Sequence, residues 1–179
     1  NAFAPLPLGS VLARGWLRQN SFAALAQPYL DRLAREHGVT MLGVQVVGLE
    51  HIIIVASAMG GGNFQLSAEV GTRFPALISA TGRCIAAFGG HAPEVIARKF
   101  ATLRWDNPPT FADWLDEVEQ ARERGYGVDA GNYIAGVQVV AAPVLAQAGR
   151  VSHALIAIGI AGSIQRAGTD ALGRALAEA

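Results

Sequence analysis

The sequence predicts an α+β domain, an antiparallel sheet with helices packed on it, on two observations. Pairs of short β-branched runs stand only a few turn residues apart, at 41–57 and again from 137 onward, and such spacing closes antiparallel hairpins. Segments of helical period lie before, between and after these pairs, without the strict alternation that a parallel sheet demands. A chain of 179 residues, 51% hydrophobic, can bury a core as one domain and is too apolar for a disordered tail.

Taken in order, residues 1–20 carry Pro5 and Pro7 and no turn-length period until Val11, so they read as a linker leading into a short helix. From Ser21, Phe22, Leu25, Tyr29, Leu30 and Leu33 recur at helical spacing, with Asn20 or Ser21 as the expected cap, Pro28 as a kink and Gly38 as the stop. MLGVQVVG and HIIIVAS form the first hairpin through Gly48, Leu49 and Glu50. GGGNF then turns the chain, and QLSAEVG is expected to be a third strand. The run Gly60 to Gly62 lacks the Gly-Lys-Ser/Thr that completes a phosphate-binding loop.

Further on, PEVIARKF reads as a helix with Pro93 in its first turn, and NPP breaks the chain. Thr110 can cap the helix FADWLDEVEQARER, whose early Asp113 and late Arg122 and Arg124 complement the helix dipole, and Gly125 ends it. VQVVAAPVL and VSHALIAIG give a second hairpin about the turn Gln147 to Arg150, and a final helix begins near Thr169. Trp105 and Trp114, flanking NPPTF, are expected to pack this region rather than stack on a ligand.

The stretch FPALISATGRCIAAFGG poses the functional question. It reads as a loop entering a helix, and Ser79, Ala80, Thr81 and Gly82 are all small. With Ser79 as cap, the amides of the next three residues lie in the first turn, where unpaired donors and the dipole favour an anion such as a carboxylate. The competing reading is a tight start to the helix and nothing more.

Other chemistry is thinly represented. Fourteen basic residues balance fourteen acidic ones, so no surplus of positive charge marks a duplex-binding face. Cys84 is the single cysteine, which excludes an intramolecular disulfide, and no Cys or His cluster has zinc spacing; no metal or cofactor is expected. No apolar run reaches the roughly 20 residues of a membrane span, so the expectation is a cytoplasmic protein without membrane contact. Cys84 follows Arg83 at a helix start, where a thiol pKa can fall, but His37, His51, His91 and His153 lack a recognisable partner context. A buried structural thiol is the expectation for Cys84, a structural role for the histidines, and a surface or interface position for Arg83.

SATGRCIAAF followed by RERGYGVDAGNYIAGVQVVAAPVLAQAGRVSHALIAIG resembles the effector-binding domain of the isocitrate lyase regulator (IclR) family of bacterial transcription factors. The resemblance runs from about Phe22, where AQPYLDRLAREHG is similar to the family's first effector-domain helix, to the end of the chain. It implies a GAF-like domain over 21–179 that binds a small-molecule effector and forms a homodimer or homotetramer. It also implies an N-terminal winged helix-turn-helix domain for DNA, for which residues 1–20 have no room. In the family, residues matching Ala80, Thr81, Asp129, Val137, Val139, Ile156 and Ile158 contact the effector; Leu66, Phe74 and Gly82 complete the expected site.

One departure bears on the ligand. Family members that bind small oxoacids carry hydroxyl side chains where this chain has Ile156 and Ile158. A carboxylate left against such a wall without donors would lose a few kcal/mol. The expected effector is therefore a more apolar acid, aromatic acids being one class, with its polar end toward Thr81 and Asp129. Asp129 is read either as a ligand hydrogen-bond partner or as a turn acceptor. The alternatives are a small hydrolase built on Cys84 and an oligomerisation module with a vestigial pocket.

Overall fold

The computed structural model describes residues 8–62 and 65–179, with side chains from Ser21 onward. Its elements are α1 (Leu8–His37), β1 (Thr40–Val47), β2 (His51–Ala58), β3 (Arg73–Pro75), α2 (Ser79–Phe88), α3 (Pro93–Ala101) and α4 (Phe111–Arg124). Then follow β4 (Gly127–Ala130), β5 (Val137–Leu145), β6 (Val151–Ile160), α5 (Ala161–Ala167) and α6 (Thr169–Glu178). All six strands form one antiparallel sheet in the order β3-β2-β1-β6-β5-β4. This is the α+β class that the hairpins predict.

Both faces of the sheet are covered. The stripe Ala26, Leu30, Leu33 and Ala34 recurs every turn of α1 and is buried against one face, joined by Leu172 and Leu176 of α6. Each such leucine contributes on the order of 1.5–3 kcal/mol when buried. On the opposite face lie α2, α3 and α4, packed through Cys84, Ile85, Ile96, Trp114 and Val118. A register shift lets β2 serve both: Val44 pairs with Ile54 but Gly43 pairs with Ala56, so Val55 is an extra residue. Ile52 and Ile54 thus join one core, Ala56 and Ala58 the other.

Four details differ from the sequence reading. The first helix starts at Leu8 and runs through Pro28, so neither Asn20 nor Ser21 caps it; Pro5 and Pro7 fall outside the described residues. QLSAEVG is not a strand: its last residue, Gly71, donates to Ile54 O and Ile54 N donates to Thr72 O, but the ladder along β2 is formed by β3, which pairs from Ile53 to His51. Three short elements, β3, β4 and α5, are additional. Arg83, expected at a surface, is completely enclosed. The Thr110 cap holds, its hydroxyl accepting from Asp113 N at 3.1 Å, and Gly125 ends α4 at φ 86°. Trp114 sits in a cluster with Phe100 and Phe111, as packing rather than stacking requires.

Candidate functional site

Between the α2 face of the sheet and two loops lies a cavity of about 90 Å³. Its floor is the row of alternate strand positions Leu42 and Val44, Ile52 and Ile54, Val137 and Val139, Ile156 and Ile158. Phe74, Ile78, Ser79 and Thr81 close one side, and Asp129, Tyr133 and Ile134 the other. Ile134 is 43% exposed and marks the side nearest solvent.

Of the expected site residues, Phe74, Thr81, Asp129, Val137, Val139, Ile156 and Ile158 line this cavity. Leu66, Ala80 and Gly82 do not. Leu66 lies beyond Ile158 and its carbonyl accepts from the Thr40 hydroxyl at 2.5 Å. Ala80 is fully buried, its carbonyl 2.7 Å from where a Cβ on Gly127 would stand. Gly82 is small because the chain crosses itself: a Cβ there would lie 2.0 Å from the Leu77 carbonyl oxygen. Its amide already donates to Ile78 O at 3.0 Å. Much of the smallness of this segment thus serves backbone packing. The strand residues Leu42, Val44, Ile52 and Ile54 were missed, although their alternation was legible, because only the long-range register brings them beside β6.

Ser79 departs most from expectation. The cap position falls on Ile78, no side chain caps α2, and Ser79 has φ 60°, the one left-handed non-glycine among the described residues. The residue is 8% exposed, and its hydroxyl has no hydrogen-bond partner.

Asp129, which lines the cavity, also acts as a turn acceptor. Its two oxygens accept from Asn132 N at 2.7 Å and Tyr133 N at 3.2 Å, and Arg83 Nη1 stands 3.8 Å away. Arg83 also donates to Glu117 Oε2 at 2.6 Å, to Ser79 O at 2.8 Å and to Asn132 Oδ1 at 2.9 Å. One buried guanidinium therefore ties the start of α2, the 131–136 loop between β4 and β5, and α4 together. From outside, the same loop is strapped to residues 106 and 107: Ala135 N donates to Asp106 Oδ2 at 2.8 Å and Asn107 N to Asn132 O at 2.9 Å. Burial first, then the Asp106 charge, raises the Tyr133 phenol above its usual range.

Cys84 lies behind this wall with its thiol against Ala141 O at 3.3 Å. Burial pushes it up to about 12, outweighing the lowering by the Gly127 amide and Arg83, so it is a neutral thiol near pH 7. Among the described residues no group of three or more His, Cys, Asp or Glu is placed to hold a metal. No described helix is long and apolar enough to cross a membrane.

Fold and cavity together define an α+β domain with a partly enclosed apolar space on one face of its sheet. The chain belongs to the family described as bacterial transcriptional regulator IclR C-terminal, whose profile matches residues 15–179. It is 26% identical over 159 residues to the HTH-type transcriptional repressor AllR of Salmonella paratyphi A, covering 87% of this chain and 57% of that protein. The chain thus spans 57% of the length of that relative. An IclR transcriptional regulator from Alicyclobacillus acidocaldarius superimposes with TM-score 0.74 at 25% identity, over 84% of this chain and 62% of that one. The transcriptional regulator YaiJ gives 0.76 at 24% over 90% and 91%. The inducer-binding domain of PobR from Acinetobacter, a double mutant in complex with 3-hydroxybenzoic acid, shares the fold with TM-score 0.66 at 19% identity over 87% and 95%.

Proposed function

We propose that this chain is the effector-binding domain of a cytoplasmic, homo-oligomeric transcriptional regulator, and that its effector is a relatively apolar organic acid. Effector binding would modulate DNA binding by a separate domain of the regulator. The observation that carries the reading is the cavity floor: eight aliphatic side chains from four strands and no hydroxyl at 156 or 158. On that floor a small oxoacid would leave its keto oxygen without a donor, whereas an acid with a ring or alkyl body sets only that body there. The 3-hydroxybenzoic acid held by the PobR domain has such a body.

At about 90 Å³ the space is smaller than the roughly 150 Å³ in which an apolar cavity holds benzene. Ligand uptake therefore requires the lining to yield, and the half-exposed Ile134 in the loop between β4 and β5 marks the side where it meets solvent. Cys84 takes no part, being neutral and enclosed.

Calorimetric titration with benzoate, 3-hydroxybenzoate, pyruvate and glyoxylate tests the reading. The aromatic acids should bind at least about tenfold more tightly, a difference of about 1.4 kcal/mol. Preference for pyruvate or glyoxylate would overturn it, and binding of none would leave an oligomerisation module.

A further inference from the structure

We infer that Asp106 and Asn107 are positioning residues of the ligand site: they latch the loop between β4 and β5 over the cavity and set the rate at which ligand enters and leaves. This rests on the reading of the cavity as the effector site and adds how that site opens.

The loop, residues 131–136, has the build of a lid. Tyr133 and Ile134 line the cavity from it, and the Tyr133 ring meets Phe74 of β3 edge-on with centroids 6.4 Å apart, so the two sides of the cavity touch there. A glycine stands at each end. Gly131 has φ 91° and Gly136 φ 79°, and a Cβ on either would meet nothing closer than 3.7 Å. Conformation rather than space therefore calls for glycine at both, as suits a pair of hinges. Gly136 O accepts from Ala161 N at 2.9 Å, which fixes the second hinge to the start of α5.

The two faces of the lid are held differently. Inside, the enclosed Arg83 donates to Asn132 Oδ1, and the enclosed Asp129 accepts from the Asn132 and Tyr133 amides. Outside, Asp106 N donates to Tyr133 O at 3.1 Å and Asn107 N to Asn132 O at 2.9 Å. The side chains add to this: Asn107 Nδ2 donates to Gly131 O at 2.9 Å, and Asp106 Oδ2 accepts from Ala135 N at 2.8 Å. Asp106 and Asn107 are exposed, so water competes for each outer bond, and these bonds part and re-form without unfolding the core. The latch residues are themselves braced, since Trp105 packs on Phe100 before them and Pro108 and Pro109 stiffen the chain after them. Movement falls on the lid. A cavity of about 90 Å³ has to enlarge to admit a ring, and the side that meets solvent at Ile134 is the side the latch closes.

Stopped-flow binding of 3-hydroxybenzoate to the wild-type chain, Asp106→Ala, Asp106→Ala/Asn107→Ala and Asp106→Asn, with Kd from calorimetry and a thermal melt of each, tests this. In the double variant association and dissociation should both quicken at least about fivefold while Kd stays within about threefold, because the latch closes the lid with and without ligand. Asp106→Ala alone should move both rates the same way by less, and it keeps the test if the double variant does not fold. Asp106→Asn retains an oxygen to accept from Ala135 and should stay within about twofold of wild type in both rates. A residue serving stability alone would lower the melting temperature and leave association unchanged. Association within about twofold of wild type in the folded alanine variants overturns the latch and leaves the apolar-acid reading standing. A weakened Kd with only dissociation quickened also overturns it, since ligand contacts rather than a gate would then have been lost. If the wild-type chain binds neither 3-hydroxybenzoate nor benzoate, the apolar-acid reading falls and takes this inference with it.

Discussion

On the sheet face that carries α1, α5 and α6, small and aliphatic residues fill the space: Ala56, Ala142 and Ala157 of the strands let Leu30 of α1 and Leu172 of α6 pack down on the sheet beside Met41. Gly43 belongs to the same economy, since a Cβ there would meet Phe22 at 3.3 Å. The other face is lined with larger β-branched side chains, yet it is the one that keeps an apolar cavity; the cleft on the α1 side, where Glu36 and His37 meet Ser163 and Arg166 of α5, is open and polar. It also holds the enclosed Arg83 and Asp129, the left-handed Ser79, and, among the described residues, two of the three buried side-chain atoms without a partner, on Ser79 and Trp114. A close-packed face needs no such features. The contrast teaches that the α1 side supplies stability and the α2 side gives some of it up to hold a binding space.

The sharpest way to break the contrast is at Gly82. A Cβ within 2.0 Å of the Leu77 carbonyl cannot be relieved by a side-chain rotation, because the obstacle is backbone. Gly82→Leu should lose more than about 4 kcal/mol, enough to leave little folded protein in a thermal melt. Gly43→Ala on the other face meets only movable side chains and should cost about 1 kcal/mol. Comparable melting of the two variants would mean that the chain crossing at 77–82 is not rigid.

Arg83 comes next. Arg83→Met keeps the stem but leaves Asp129, 1% exposed, without its cation and Ser79 O and Asn132 Oδ1 without their donor. Breaking a buried pair on one side costs about 3–5 kcal/mol; the two amides that Asp129 retains place this case at about 3. A urea midpoint shift corresponding to less than about 1 kcal/mol would show that solvent reaches the guanidinium.

A smaller effect concerns the cavity floor. Ile156 and Ile158 share a face of β6, so changing both to Ser removes apolar contact and adds hydroxyls together. Affinity for benzoate should fall by about 2 kcal/mol, at about 25 cal/mol per Å², while pyruvate and glyoxylate gain. Competition titration on the folded double variant checks this, and an unchanged preference would separate the floor from specificity.

How much of this was legible in the sequence differs between the same two faces. The strands β1, β2, β5 and β6 were readable, since runs such as HIIIVAS and VQVVAAPVL carry strong β propensity and lie beside turn residues. The edges β3 and β4, of three and four residues, are too short to show a period. QLSAEVG shows one and is still not a strand; its Gly71 amide bonds to Ile54 O, but the ladder along β2 is made by β3. On the cavity side, Ile156 and Ile158 were reached through the family resemblance, whereas Leu42, Val44, Ile52 and Ile54 needed the register. Ser79 was read as a cap because serine favours caps, and no local signal announces φ 60° at a residue other than glycine. Arg83 looked superficial because Asp129 and Glu117, its partners, lie far along the chain.

The smallest expected effect belongs to the close-packed face. His153 of β6 stacks on Phe22 of α1 with ring centroids 3.9 Å apart, and burial holds its pKa below the usual histidine value. A histidine lowered on folding is neutral in both states well above pH 6.5. As pH falls through that unfolded value of about 6.5, the unfolded chain takes up a proton that the folded ring refuses, and stability is lost until the folded ring protonates in turn. The ring is only partly shielded, so the loss should stay well under about 1 kcal/mol. Melting curves between about pH 7.5 and 5 should therefore show a slightly steeper decline for wild type than for His153→Phe, which keeps the stack and removes the proton site. If the two slopes coincide, the ring is as well solvated in the native state as in the unfolded one, and the α1 side of the sheet is less tightly sealed at the Phe22 contact than its alanine packing implies.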